Sequence, residues 1–235
     1  MTKSRGAKSQ GPALVEADGV GIGYGHPVCP RITFAMGSGD VVAVVGANGA
    51  GKSTLLRTAV GLLPPLGGRL AVLGAEPDGR SARFRAAVAV DLGGDAFFPA
   101  LTVREHLMLT CYGHGVQNPA RVVADLVEAF GLGEIGHTLP TALSSGQRRR
   151  VLLAAAFVRP RSLMILDEPE QRLDAGMRRL LAERLVEERE GGGAVLLATH
   201  DPEVVRAAAT RAVVLTASSA QVVPPEQAAA AIDRL

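Results

Sequence analysis

The 235 residues are 47% apolar, enough for a substantial core, and 25 Lys and Arg against 23 Asp and Glu leave a net charge of +2. So even a balance gives no extended basic face, and nucleic acid is not expected as a partner. The longest apolar runs, Val41 to Val45 and Val151 to Val158, fall far short of the ~20 residues of a membrane span, and no apolar stretch follows Lys3, Arg5 and Lys8 to make a signal peptide, so a cytoplasmic protein is expected.

Residues 1–12 mix Gly, Ser, Lys and Gln with little to bury and are predicted to be a disordered leader, leaving 13–235 as one domain. Cys29 and Cys111 stand alone, without the spacing of a metal site or a disulfide framework, and are read as packing residues. Val41 to Val45 is short and wholly apolar, as a central strand covered on both faces should be. A glycine-rich turn follows, then a helix predicted over Ser53 to Leu63 that stops before Pro64 and Pro65.

Thr102 with Glu105 makes a capping box, and Asn118-Pro119 opens a second helix whose Leu126, Val127 and Phe130 share a face. The stretch from about 101 to 139 is therefore mostly helical, and a helix from about Gly146 to Val158 follows. A buried strand is predicted at Leu163 to Leu166, then a helix with Met177, Leu180, Leu181 and Leu185 on one side, ended by Gly191 to Gly193. A central strand at Ala194 to Ala198 and a peripheral one near Ala212 to Leu215 complete an alternation that argues for an α/β fold with a largely parallel sheet.

Gly46-Ala47-Asn48-Gly49-Ala50-Gly51-Lys52-Ser53, followed by Thr54, fits the phosphate-loop pattern between strand and helix. Such a loop converges backbone N–H groups on a β-phosphate, while Lys52 reaches the β- and γ-phosphates and Ser53 offers an oxygen to Mg2+. Each charge-assisted hydrogen bond is worth ~1.5–3 kcal/mol, so the loop can hold a nucleotide. Leu163 to Leu166 runs into Asp167 and Glu168, at the strand end where a parallel sheet presents its ligand site. Asp167 is the expected metal ligand and Glu168 the group that orients the water attacking the γ-phosphate.

With Leu143-Ser144-Ser145-Gly146-Gln147 between them, these motifs resemble the nucleotide-binding cassette of ABC ATPases. The resemblance runs from about Tyr24 to Asp201. It implies a P-loop NTPase fold with an inserted helical subdomain at about 101–158 and a peripheral antiparallel β region. By that resemblance Ser144, Ser145, Gly146 and Gln147 contact ATP bound to a partner protomer, Tyr24 stacks on adenine, His200 contacts the γ-phosphate beside Glu168, and Leu173-Asp174 lines the dimer interface. It implies ATP and Mg2+ as cofactors, a homodimer or heterodimer, and a separate transmembrane permease that the subunit powers from the cytoplasmic face, with export the direction favoured. A soluble non-transport ATPase acting on ribosomes or DNA, and a catalytically weak regulatory subunit, are the alternatives.

The chain departs from the family pattern in three places. Ser145 stands for a glycine, and Glu170-Gln171-Arg172 is unusual for its loop. Gly93 falls where a glutamine is usual, with Asp91 and Asp95 the nearest polar candidates, so coupling is expected to differ. Arg148, Arg149 and Arg150 fan around a helix and are expected to share solvent and interface roles.

Overall fold

A computed structural model describes residues 12–235, so the expectation of a disordered leader lies outside the described residues except at Pro12. The elements in chain order are β1 (Val15–Gly21), β2 (Ile32–Met36), β3 (Val41–Val45), α1 (Lys52–Ala59), β4 (Gly67–Val72), α2 (Ala82–Ala87), β5 (Val88–Asp91), α3 (Val103–Gly113) and α4 (Pro119–Ala129). A short 3-10 turn at Pro140–Ala142 leads into α5 (Ser145–Val158), β6 (Leu163–Asp167), α6 (Ala175–Glu190), β7 (Ala194–Ala198), α7 (Pro202–Ala208), β8 (Arg211–Leu215), β9 (Ala220–Val223) and α8 (Pro225–Ile232).

Six strands form one sheet in the order β5-β6-β7-β3-β8-β9, parallel except for β9, and β2-β1-β4 form a separate antiparallel sheet. The apolar runs of β3, β6 and β7 make sense in this arrangement, because alternate residues feed two different cores. Val41, Ala43 and Val45 join the core beneath α3 to α8, while Val42 and Val44 face α1 and the three-stranded sheet. Leu55, Leu56 and Ala59 of α1 are fully buried between the two sheets. Burying each leucine contributes about 1.5–3 kcal/mol, so α1 is anchored by its packing.

Three details differ from the sequence expectation. The helix predicted to Leu63 ends at Ala59, because Gly61 (φ 75°) takes a left-handed turn in which Gly61 N–H donates to Thr58 and Leu62 N–H to Arg57. A Cβ at Gly61 would lie 2.5 Å from the Pro77 carbonyl, so the glycine ends the helix before the prolines can. The strand at Ala212 to Leu215 is not peripheral: β8 pairs with β3 on one side and β9 on the other. The whole three-stranded sheet escaped the strand-by-strand reading; β1 carries a register shift between Ala17 and Val20, which breaks its alternation.

The capping box forms as expected, with the Thr102 hydroxyl accepting from Glu105 N–H and the Glu105 carboxylate accepting from Thr102 N–H. No described helix is long and apolar enough to cross a membrane.

Candidate active site

Register brings the site together. Val44 pairs with Ala198, which pairs with Asp167, so β3, β7 and β6 end level with one another. The segments that leave those ends are the glycine-rich loop, Thr199-His200 and Glu168. Their first residues stay tied to the sheet, Glu168 N–H to Ala198 O at 2.9 Å and Thr199 N–H to Val44 O at 3.2 Å. A shared edge of parallel strands is where such folds bind ligands.

The loop from Gly46 to Gly51 closes on α1. Gly46 could carry no side chain, since a Cβ would meet the Leu215 carbonyl at 2.4 Å. Ala47, Asn48 and Gly49 are exposed at the loop crest, Ala50 is half-buried and Thr54 is buried. The buried ammonium of Lys52 donates to Gly46 O at 3.0 Å and Ala47 O at 3.3 Å, and stands 3.9 Å from Glu168 Oε1. Desolvation lowers the pKa of Lys52, and Glu168, Asp167 and Glu170 draw it back. Ser53 Oγ donates to Asp167 Oδ1 at 3.0 Å. Burial raises the pKa of Asp167, opposed first by that hydrogen bond.

Glu168 has its backbone in the left-handed region at φ 47°, a conformation that costs about 1–3 kcal/mol and persists only where its surroundings enforce it. Here they do. Its N–H is held by β7, and its carbonyl accepts from Arg149 at 3.1 Å and from Gln171 N–H at 3.1 Å. The carboxylate that results faces His200, with Oε1 and Nε2 3.2 Å apart.

Arg149 corrects the reading of the arginine triplet. It is 6% exposed, pairs with Asp91 at 2.8 Å, and donates to the carbonyls of Pro169, Glu168 and Asp167 at 3.1, 3.1 and 3.4 Å. It therefore fastens α5 to the ends of β5 and β6. Arg150 is turned on Phe130 and Gly131 carbonyls behind α4, and Arg148 approaches Asp95 at 3.6 Å. Nothing in a triple arginine at helical spacing tells which member turns inward. Asp91 is thus engaged by Arg149 and by Gly93 N–H, and does not stand free in place of a glutamine.

Sequence reasoning also missed Glu170. It is buried, and its Oε1 accepts from Thr199 Oγ1 at 2.6 Å and His200 N–H at 2.9 Å, which ties the loop after β6 to the histidine. Oε2 has no partner, and burial raises the pKa of this carboxyl.

Six other expected residues lie at exposed or partly exposed positions. Tyr24 is 53% exposed, its hydroxyl accepting from Arg57 at 3.1 Å. Ser144 caps α5, accepting from Gln147 N–H at 3.2 Å while the Gln147 side chain accepts from Ser144 N–H at 2.8 Å, so that glutamine folds back on its own helix. Ser145 and Gly146 occupy the first turn of α5, Ser145 exposed. Asp174 is exposed and caps α6 through Met177 N–H at 2.9 Å.

The family model described as ABC transporter matches residues 29–171, which spans the glycine-rich loop, the α5 cap and the Asp167-Glu168 strand end. The chain belongs to the ABC transporter family. It is similar to the Nod factor export ATP-binding protein I of Rhizobium leguminosarum bv. viciae, 34% identical over 182 residues, 75% of this chain and 58% of that protein. It is 35% identical over 183 residues to the cytochrome c biogenesis ATP-binding export protein CcmA 2 of Cupriavidus metallidurans, covering 74% of this chain and 84% of the relative. A third relative, an Fe(3+) ions import ATP-binding protein of Rhodococcus jostii, is 37% identical over 171 residues, 70% of this chain and 48% of its own length. Among solved structures, one described as an ATP-binding subunit of an ABC transporter superposes with a TM-score of 0.81 at 28% identity, over 90% of both chains. The chain thus spans a little under three-fifths of the Nod factor relative, and the fold is that of an ABC cassette with its antiparallel three-stranded sheet.

Proposed function

We propose that this chain binds and hydrolyses ATP to power transport through a separate transmembrane permease, docked at the cytoplasmic face of the membrane. The observation that carries the reading is the convergence on Glu168: Lys52 at 3.9 Å and His200 at 3.2 Å from one carboxylate oxygen, at the strand edge where the Ser53–Asp167 pair stands. Lys52 and the loop N–H groups hold the β- and γ-phosphates. Glu168 orients the attacking water and takes its proton, with His200 bracing the same carboxylate. Ser53 and Asp167 present two hard oxygens 3.0 Å apart, a donor set suited to Mg2+, which takes few protein ligands and keeps waters and phosphates. When bound, that ion neutralises charge on the phosphates.

Tyr24 offers its open ring to adenine. The exposed cap of α5 is the surface that a second cassette would present to the γ-phosphate, with a positive helix end, Ser144 and Ser145 hydroxyls and Gly146, so the working unit is a dimer with two shared ATP sites. The export direction rests on the two relatives named for export; the third, named for import, makes direction part of the test.

The experiment is recovery of tagged Glu168→Gln protein in ATP from detergent-solubilised host cells, with mass spectrometry of what accompanies it. A multi-span membrane protein is the expected companion, and its reconstitution in vesicles reads direction. Recovery of ribosomal or DNA-associated proteins alone would overturn the transport reading.

A further inference from the structure

Between the end of β5 and the loop after β6 lies a small cavity of about 50 Å3, with Gly93 and Asp95 on one wall and Asp167, Glu168 and Gln171 among its other lining residues. A water needs ~10–15 Å3 by this measure, so the space accommodates more than one. Gln171 is the only carboxamide among the residues that line it. Its Nε2 donates to Glu168 Oε2, the oxygen that faces away from His200. The donor assignment is forced by chemistry, since an ionised carboxylate only accepts.

The contact follows from a turn and needs no long reach across the site. Gln171 N–H donates to Glu168 O at 3.1 Å, Leu173 N–H donates to Glu170 O at 3.2 Å, and Arg172 takes φ 63° between them. Leu173 is buried and pins the turn to the core. The Glu168 carboxylate then has a neighbour at each oxygen, and the Gln171 contact is the hydrogen bond among them. Oε1 lies beside His200 and Lys52, and Oε2 is bound by Gln171. A carboxylate that must aim one oxygen at a water gains from losing its freedom to rotate.

From this geometry we infer that Gln171 is a positioning residue for hydrolysis, fixing the rotation of Glu168 across the wall that Gly93 leaves without a side chain. The inference rests on the reading of Glu168 as the group that orients water. Gln171 is exposed and outside both cores, so its replacement leaves folding intact.

The test is a double-mutant cycle on the full chain with MgATP, reading kcat, KM and nucleotide affinity, with single-turnover measurement for slow variants. Gln171→Leu keeps the bulk and removes the amide. Loss of a hydrogen bond to a charged group corresponds to ~10-fold or more, so kcat falls ~10-fold or more while KM and affinity stay within about twofold. In the Glu168→Gln background the same change alters kcat by less than about twofold, because the group it positions is gone. An unchanged kcat in the Gln171→Leu variant, or an equal fall in both backgrounds, overturns the positioning role while leaving Glu168 in place. Full turnover by Glu168→Gln alone overturns the reading beneath it, and the inference with it.

Discussion

Lys52 and Glu170 are two of the buried side chains whose charge the site must manage. Lys52 is 5% exposed and lies against the strand edge rather than in solvent, so its ammonium is retained by carbonyls and by Glu168. Lys52→Met removes a charge-assisted contact to phosphate and is expected to weaken ATP affinity by ~10–100-fold, measured by titration with a fluorescent nucleotide. An affinity within twofold of the parent would count against a phosphate role. Glu168→Gln, by contrast, is expected to cut turnover by ~10²–10⁴ with ATP binding retained. Glu170 makes a prediction about pH. Its folded-state pKa lies above the ordinary carboxylate value, so its contribution to stability is fully present below that ordinary value and is lost as pH rises through the raised one. Glu170→Gln removes the titration, and its melting temperature should fall less than that of the parent between acid and neutral pH. Parallel pH profiles for the two proteins would show that Glu170 does not titrate in that window.

At the level of elements, the site is held by one buried arginine spanning α5, β5 and β6. Replacing one member of a buried pair leaves the other charge without compensation, and such losses run about 3–5 kcal/mol. Arg149→Ala should therefore lower unfolding free energy by about that amount in urea, and it leaves Asp91 Oδ2 and the carbonyls of Asp167, Glu168 and Pro169 without the guanidinium donor, while Gly93 N–H still reaches Asp91 and Gln171 N–H still reaches the Glu168 carbonyl. The strained Glu168 backbone depends on one of those bonds, so turnover should fall further than nucleotide affinity. Replacement of Arg149 and Asp91 together by Met and Leu should destabilise less than the sum of the single changes; strict additivity would mean that the pair is not coupled. Helix ends set their own limits. Gly61 stops α1 and Gly192 (φ 84°) stops α6, each through the same pair of backbone hydrogen bonds to the last turn.

For the molecule as a whole, the exposed α5 cap carries a prediction that one chain alone cannot satisfy. Ser145→Glu sets a carboxylate where the proposed dimer brings a γ-phosphate, and like charges there cost several kcal/mol. ATP binding to its own loop should persist, while ATP-dependent dimerisation of the Glu168→Gln chain, followed by size-exclusion chromatography, is lost. A dimer that survives the substitution would place the second half of the site elsewhere.

Much of this site was legible along the chain because its signals are local. The phosphate loop, the apolar strand ending in Asp167-Glu168 and the Thr102–Glu105 capping box are contiguous patterns, and each depends on backbone geometry within a few residues. The alternation of buried strands and helices likewise followed from unbroken apolar runs in β3, β6 and β7. What the chain did not disclose depends on neighbours distant in sequence. The antiparallel β region was implied by the family resemblance alone; its strands β1, β2 and β4 take their places through cross-strand pairing and packing on α1, and the irregularity in β1 breaks the alternation there. Arg149 reads as one of three equivalent arginines until β5 and β6 supply Asp91 and three carbonyls, and Gln171 reads as an odd loop residue until the turn after β6 sets it on Glu168. The groups proposed for the chemistry could be read along the chain, because chemical identity and short spacing are written there directly. Which side chains hold those groups in place emerged from the folded chain, because it depends on contacts between segments far apart in sequence, 58 residues for Arg149 and Asp91 and 114 for Ser53 and Asp167.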